Sequence, residues 1–167
     1  KYALIDEKGK IKIIGFETIR GDWSYIAKEV QNHVFELIMK DVDVKAAVSY
    51  VNDIIKKIIR KEIPVEKMII QKQLRKEIHD YDSIGPHVTA AQRMRDIGMF
   101  VGPGSVIQYG IEEGKGPLRE RSRLPSESKS YDSEYYVTNQ IIPAVEKIFE
   151  VLGCSKDVFL SQEQKSL

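Results

Sequence analysis

The side chains with the clearest potential for binding chemistry lie in residues 81–94, around Gly85 and Pro86. Pro86 is suited to the first turn of a helix, and Val88, Ala91 and Met94 follow it at helical spacing. The first N–H groups of a helix lack intrahelical partners, and its positive dipole end favours an anion such as phosphate. The donors that flank this corner are Tyr81, Ser83, His87, Thr89 and Arg93. The pattern alone is also typical of an ordinary capped helix, and that interpretation stays open.

Two amphipathic helices are predicted before this corner. Asp22 is positioned to cap a helix that begins at Trp23, and apolar residues then recur at steps of three and four to about Lys40. Asp43 is positioned to cap a second helix, whose apolar stripe ends at Ile59. Because the link between them is short, the sequence predicts a hairpin of helices.

Short strands are predicted on both sides of this helical hairpin. Residues 2–6 and 11–16 are rich in β-forming side chains and flank a polar turn, which predicts a β-hairpin. Gly98 is expected to end the helix of the corner, and residues 105–111 alternate in the manner of a strand. The sequence therefore predicts an α+β fold that is mainly α-helical, with a β-hairpin at its N-terminal end.

The densest positive stretch of the chain lies in a glycine-rich segment near residues 112–125. Between residues 115 and 129, five basic side chains oppose the two acidic side chains of Glu120 and Glu127. The basic residues are Lys115, Arg119, Arg121, Arg123 and Lys129. Such a composition is typical of a solvated loop, and a surface for a polyanion is the alternative.

A long helix is predicted near the C-terminal end. Asp132 is positioned as its cap, and Gly153 is expected to stop it after about Leu152. Pro143 inside this helix predicts a kink and a carbonyl that has lost its hydrogen-bond donor. The tyrosines of this segment are expected to pack in the core, which makes the helix mainly structural.

Composition excludes several classes of function. The 167 residues carry a net charge of only +1, so a surface for nucleic acid must be local. The one cysteine, Cys154, excludes an internal disulfide framework and a multi-cysteine zinc site. His79 and His87 lack partners at metal-ligand spacing, and no apolar stretch is long enough to span a membrane. The sequence shows neither paired carboxylates that could hold two metal ions nor a nucleophile–base arrangement. We therefore do not expect this chain to catalyse a reaction alone.

Segments along nearly the whole chain resemble, in the same order, the thumb of archaeal family B DNA polymerases. Residues 80–93 resemble the family's D-Y-x-x-x-G-P-H-V-x-x-A-x-R element, and residues 131–148 resemble its Y-D-x-E-Y-Y-x-x-N-Q-x-x-P-A-V-E-x-I segment. Residues 1–6 are similar to the end of its K-K-x-Y-A-x-I-D motif. Residues 20–31 are similar to its R-R-D-W-S-x-I-A-K-x-x-Q run, with Gly21 in place of the second arginine. Residues 66–71 resemble the family's P-x-E-K-L-x-I segment, which leads into a short strand or turn. Residues 103–109 resemble its P-G-T-V-I-x-Y segment.

This resemblance implies a domain organisation and a set of DNA contacts. It implies a β-hairpin at the palm–thumb junction over residues 1–18, where it completes the palm, a thumb over 19–160 with short strands near its tip, and a tail from 161 to 167. The residues that match DNA-contacting family positions, or lie beside them, are Tyr2, Arg20, Asp22, Tyr81, Ser83, Gly85, His87, Thr89, Arg93, Arg119 and Arg121. We expect these residues to bind primer–template duplex through its phosphates and its minor-groove side, without recognising the base sequence.

The resemblance also implies partners for the chain. The catalytic carboxylates, the Mg²⁺ ions and the incoming nucleotide would belong to the palm, fingers and exonuclease part of the polymerase, on a separate chain or outside this sequence. This chain would bind no cofactor itself. A tail that starts at Gln164 matches the first half of a sliding-clamp motif. We expect a cytoplasmic, nucleoid-associated location. The alternative is a non-catalytic scaffold descended from a polymerase that binds protein, which Gly21 favours.

Overall fold

The structure of the chain is a computed structural model that describes residues 2–5, 11–14, 22–41 and 43–151. It is a mixed fold dominated by helices, as predicted. The long helices are α1 (Tyr25–Asp41), α2 (Val44–Ile59) and α3 (Pro86–Asp96). No helix within the described residues combines the length and the apolar character that a membrane crossing requires.

The N-terminal β-hairpin is confirmed. Strands β1 (Tyr2–Ile5) and β2 (Ile11–Ile14) pair antiparallel, with Tyr2 opposite Ile14 and Ile5 opposite Ile11. The division of the chain at residues 18 and 160 stays a prediction.

Helix α1 begins two residues later than the sequence indicates, and Asp22 is not its cap. The first helical residue is Tyr25, and the Ser24 hydroxyl oxygen accepts the N–H of Ala27 at 3.3 Å. Ser24 lies directly before the helix, whereas the carboxylate of Asp22 is two residues further away. Helix α2 has the predicted cap, because Asp43 Oδ1 accepts the N–H of Ala46 at 3.0 Å.

A three-stranded antiparallel sheet lies between the helical hairpin and α3. Strands β3 (Ile70–Gln73), β4 (Val106–Ile111) and β5 (Ser122–Arg123) are arranged in that order, with Gln71 opposite Gln108 and Gln73 opposite Val106. Alternation places Ile107 and Tyr109 of β4 in the core, whereas Val106 and Gln108 are exposed. The sheet therefore presents one open face.

Helix α3 starts and stops as predicted. Gly85 precedes the helix, Pro86 occupies its first turn, and Gly98 follows it with φ of 90°, a left-handed conformation that glycine adopts without a steric penalty. Its inner side, which includes Val88 and Ala91, is buried.

The C-terminal helix is interrupted before Pro143. It consists of α4 (Ser133–Tyr136), a π-helical turn (Val137–Ile141) and α5 (Ile142–Val151). The predicted cap is present, since Asp132 Oδ1 accepts the N–H of Tyr135 at 3.1 Å. A proline inside a helix removes one hydrogen bond and crowds the preceding turn. The wider π turn occupies the turn that precedes Pro143. The expected stop at Gly153 lies outside the described residues.

One buried tyrosine joins the helical and sheet layers. The Tyr136 hydroxyl donates to the carbonyl of Met68 at 2.6 Å and accepts the N–H of Ile111 at 3.0 Å. Tyr136 is fully buried, and burial raises the pKa of its hydroxyl above the usual value. The predicted packing role of this tyrosine is confirmed, and it fixes the ends of β3 and β4 relative to α4.

Candidate nucleic-acid interface

A long groove runs along the exposed edge of β3, beside the start of α1. Its volume is about 860 Å³. It is lined by Asp22, Lys28, Gln71, Lys72, Gln73, Arg75, Lys76, Tyr81, His87 and Val106. We call this feature the basic groove, because four of its lining side chains are cationic and one is acidic.

The four cations of the basic groove are free of carboxylate partners within the described part of the chain. Lys28, Lys72, Arg75 and Lys76 form none of the ion pairs found there. Lys72, Arg75 and Lys76 are exposed, and Lys28 is half-buried. Unpaired, hydrated cations that face one groove are the arrangement that attracts a polyanion.

The sheet contributes a polar edge to the groove. Gln71 and Gln73 lie on the open face of β3, since they pair with the exposed Gln108 and Val106. Gln71 Nε2 donates to the Tyr25 hydroxyl at 2.6 Å, and Gln73 Nε2 donates to the Gly104 carbonyl at 3.2 Å. These bonds orient the amides while their oxygen atoms stay available on the surface.

Tyr81 positions two of the cations. Its hydroxyl oxygen accepts the backbone N–H of Arg75 at 2.9 Å and that of Lys76 at 3.4 Å. The Lys76 ammonium also lies 5.9 Å from the centroid of the Tyr81 ring. The predicted role of Tyr81 as a direct donor stays a prediction, and the structure adds a role in shaping the turn after β3.

His87 is a buried wall of the groove. Its ring is 8% exposed and stands edge-on to the Tyr81 ring, with 5.5 Å between centroids. A β-carbon at Gly85 would lie 3.2 Å from His87 Nδ1, so the glycine leaves room for this ring. Burial, with a smaller contribution from the charge of Lys72, lowers the pKa of His87 to about 4. The imidazole is therefore neutral at pH 7.

The N-terminus of α3 has fewer free N–H groups than the sequence suggests. The N–H groups of Val88 and Thr89 donate to the Gly85 carbonyl at 3.1 and 3.2 Å. Pro86 has no N–H group to offer. Of the predicted donors at this corner, Ser83 is exposed and Thr89 is half-buried, but neither lines the basic groove.

Arg93 makes contacts within the protein. Its guanidinium pairs with Glu127 and donates to the carbonyl of Ser122 at 3.4 Å. These partners lie at β5 and just beyond it, so Arg93 holds the end of the sheet against α3. The predicted contact with DNA is not tested by this geometry, but it would compete with Glu127.

In the basic segment of residues 112–131, here called the arginine loop, two of the five cations form ion pairs with carboxylates of the chain. Arg121 pairs with Asp132, and these side chains are only 17% and 19% exposed. Arg123 Nε lies 2.9 Å from a carboxylate oxygen of Glu112. Lys61, which lies two residues beyond α2 and has φ of 60°, pairs with Glu113 and donates to the Tyr131 carbonyl. Only Arg119, of the two arginines predicted here to bind DNA, is exposed and without an ion pair among the described residues.

The remaining predicted contacts are partly outside this geometry. Asp22 is exposed and lines the basic groove. Tyr2 lies in β1, while Arg20 and the tail from Gln164 lie outside the described residues. Asp22, Tyr81 and His87 are among the residues predicted from the resemblance to contact DNA, and all three line the basic groove.

Several groove residues were missing from the predicted site. Lys28 and Gln71 lie in segments that resemble the family but were not assigned to DNA contact. Lys72, Gln73, Arg75 and Lys76 were not assigned to it either. The usable signal was the run of three polar side chains, Gln71 to Gln73, that follows the buried Ile70 within β3. It predicts an exposed polar edge directly before the cations of the turn.

The chain matches the family model described as DNA polymerase family B over residues 1–152. It is 44% identical to a DNA polymerase of Pyrococcus glycovorans over 169 residues, which cover 99% of this chain and 22% of the relative. A DNA polymerase of Pyrococcus horikoshii is 42% identical over 171 residues, with 100% of this chain and 14% of the relative covered.

A solved structure is also similar. The family B DNA polymerase from the hyperthermophilic archaeon Pyrobaculum calidifontis superimposes with a TM-score of 0.72 at 36% identity, over 92% of this chain and 20% of that one. The chain thus spans about a fifth or less of the length of these relatives. The resemblance to family B DNA polymerases is confirmed by both the family model and the fold, and the chain belongs to DNA polymerase family B.

Proposed function

We propose that this chain is the thumb of a family B DNA polymerase and that its basic groove grips primer–template duplex during DNA replication. The observation that carries the proposal is the set of four cations without carboxylate partners, Lys28, Lys72, Arg75 and Lys76, around a single open groove. The arginines elsewhere in the described residues mostly neutralise carboxylates of the chain itself. Four cations that line one groove give that groove a locally positive surface, although the net charge is only +1.

The groove suits backbone recognition better than base readout. Lysine and arginine side chains neutralise phosphates, and the glutamine amides can bond to sugar or phosphate oxygens. None of these contacts depends by itself on the base sequence. A replicative polymerase needs such sequence-independent binding, because it must hold any duplex. The neutral His87 and Tyr81 rings give the groove a rigid wall.

The contribution of the thumb to catalysis would be positional. Holding the duplex fixes the primer end in the geometry that nucleotidyl transfer needs. No group of three or more metal-ligating side chains occurs among the described residues, so the donor set for Mg²⁺ does not fit this part of the chain. The metal ions and the nucleotide would therefore bind the palm and fingers of the complete polymerase.

Duplex binding across a salt series tests the proposal. Fluorescence anisotropy with a labelled primer–template would compare the wild type with Lys72→Ala/Lys76→Ala. Each lost phosphate contact should reduce the slope of log affinity against log salt by about 0.9, so the double variant should lose about 1.8. The same pair should lower primer extension when the chain is combined with a palm-containing polymerase part that lacks its thumb.

The matched control is Lys115→Ala/Lys129→Ala, which removes the same charge from exposed, unpaired side chains of the arginine loop. We expect this control to change the slope much less than the groove variant. Equal losses would show that binding follows net charge and would contradict a specific groove. Absence of duplex binding by the wild type at low salt would favour the protein-binding scaffold.

A further inference from the structure

A buried glutamine behind the basic groove connects two distant parts of the chain. Gln140 lies in the π-helical turn and is 5% exposed. Its Oε1 accepts the backbone N–H of Ser24 at 2.7 Å, across 116 positions of sequence. A buried glutamine whose amide oxygen accepts a backbone N–H has a restrained orientation.

Ser24 is the point at which the first turn of α1 is attached to the rest of the fold. The Ser24 hydroxyl caps the helix at Ala27, and the Ser24 carbonyl accepts the N–H of Lys28 at 3.1 Å. On the sheet side, Ser24 forms a β-bridge with Ile70, and the N–H of Tyr25 donates to the Ile69 carbonyl at 3.3 Å. The first turn is thus held by β3 on one side and by Gln140 on the other.

This turn carries one wall of the basic groove. The backbone N–H of Lys28 is bonded to Ser24, and Asp22 lies two residues before Ser24. Asp22 and Lys28 line the groove together with side chains of β3 and of the turn that follows it. A shift of the first turn would therefore move the Lys28 ammonium relative to Lys72 and Lys76. Phosphate contacts of this kind depend on placing several cations along one strand at once.

We propose that Gln140 is a positioning residue for the basic groove: by accepting the Ser24 N–H it fixes the first turn of α1 so that Lys28 meets the phosphate backbone of the duplex. The proposal rests on the proposed function of the groove. The π turn fits this role, since such turns interrupt a helix locally and often occur at functional sites. Here the turn places an amide oxygen against the backbone N–H of Ser24.

A double-mutant cycle tests the proposal. Gln140→Leu removes the acceptor and keeps the approximate volume. If Gln140 acts through Lys28, Gln140→Leu and Lys28→Ala should each reduce the salt slope of duplex binding by about 0.9, and their combination should lose no more than either alone. Additive losses, or an unchanged slope in Gln140→Leu, would overturn the proposal.

Lys76→Ala on the opposite wall is the matched control. Its effect should add to that of Gln140→Leu, because Lys76 is positioned by Tyr81 and not by Ser24. Gln140→Glu retains an oxygen acceptor for the Ser24 N–H, and we expect it to keep the wild-type slope. A slope in Gln140→Glu as low as in Gln140→Leu would contradict the role of this hydrogen bond.

A measurement without DNA separates this proposal from the proposed function. Amide hydrogen exchange at Ser24 should be slow in the wild type and in Gln140→Glu, but faster in Gln140→Leu. If Lys28→Ala and Lys76→Ala both leave duplex binding unchanged while Ser24 exchange responds as expected, the proposed function fails and Gln140 is only structural. If Gln140→Leu does not fold, Gln140→Met fills the same space without an acceptor and replaces it in the cycle.

Discussion

The basic groove and the arginine loop hold similar numbers of positive side chains but use them differently. In the groove, Lys72, Arg75 and Lys76 are exposed and form no ion pair among the described residues. In the loop, Arg121 and Arg123 are paired with Asp132 and Glu112. Two of the five cations in the densest positive stretch of sequence are therefore neutralised within the protein, whereas none of these groove cations is paired within the described residues. Pairing with carboxylates separates the two regions better than local charge density does.

The largest effect that separates these regions is expected from Arg121→Ala. Removal of the guanidinium leaves Asp132 largely buried and unpaired, and Asp132 also caps α4. We expect a loss of about 3 kcal/mol in the free energy of unfolding, measured by urea denaturation. Arg119→Ala, at an exposed position, is the control and should change it by less than about 0.5 kcal/mol. Weaker duplex binding by a fully folded Arg121→Ala would instead assign Arg121 to the DNA contact predicted from the sequence.

Tyr136→Phe tests the connection between the helical layer and the sheet layer. Loss of the hydroxyl leaves the Met68 carbonyl and the Ile111 N–H without their buried partner. We expect the free energy of unfolding to fall by about 2 kcal/mol, while the salt slope of duplex binding by the folded variant stays unchanged. Calorimetry and anisotropy measure these two quantities. An unchanged midpoint of thermal unfolding would show that neither backbone group depends on Tyr136.

Acidification should act on the groove through His87. Its pKa is about 4 in the folded protein and near 6.5 when unfolded, so between these values the unfolded chain binds more protons. Stability from this residue is complete above pH 6.5 and is lost as the pH falls towards 4. From pH 7 to pH 5 the loss should be about 2 kcal/mol. His87→Gln, which leaves every other titratable group of the chain in place, should lack this component. Parallel pH profiles of the two proteins in urea denaturation would refute the shift.

The smallest effect is expected from single exposed cations. Arg75→Ala should reduce the salt slope of duplex binding by about 0.9 and leave the unfolding free energy nearly unchanged, because its guanidinium has no ion pair within the described residues. Lys45→Ala, an exposed lysine on α2, removes the same charge away from the groove. Equal changes in the two slopes would remove the distinction between the groove and the remaining surface.

Local signals in the sequence predict most of the helices and strands. Asp43, Asp132, Pro86 and Gly98 mark helix ends where the structure has them, since capping and positive φ are decided by near neighbours. The cap of α1 was misplaced because Asp22 and Ser24 are both good caps. The bridge from Ser24 to Ile70, which fixes where the helix meets the sheet, is not a local signal.

The candidate site was harder to predict than the fold. Motif residues such as Tyr81 and His87 were found, but the pairing of Arg93 with Glu127 and of Arg121 with Asp132 joins residues that are 34 and 11 positions apart. Spacing in one sequence does not show which carboxylate an arginine will meet. Lys28 reaches the groove only because α1 packs beside β3, a contact that its own sequence neighbours do not indicate.

The unpaired cations of the groove have a consequence for the protein without DNA. Lys72, Arg75 and Lys76 lie within five residues of one another and repel one another when no anion is bound. Added salt screens this repulsion and should stabilise the free chain, but it also weakens the attraction to phosphate. Higher ionic strength would then stabilise the free chain and weaken the duplex-bound complex. Lowering the salt concentration alone would shift the chain from the free, self-repelling form to the duplex-bound one.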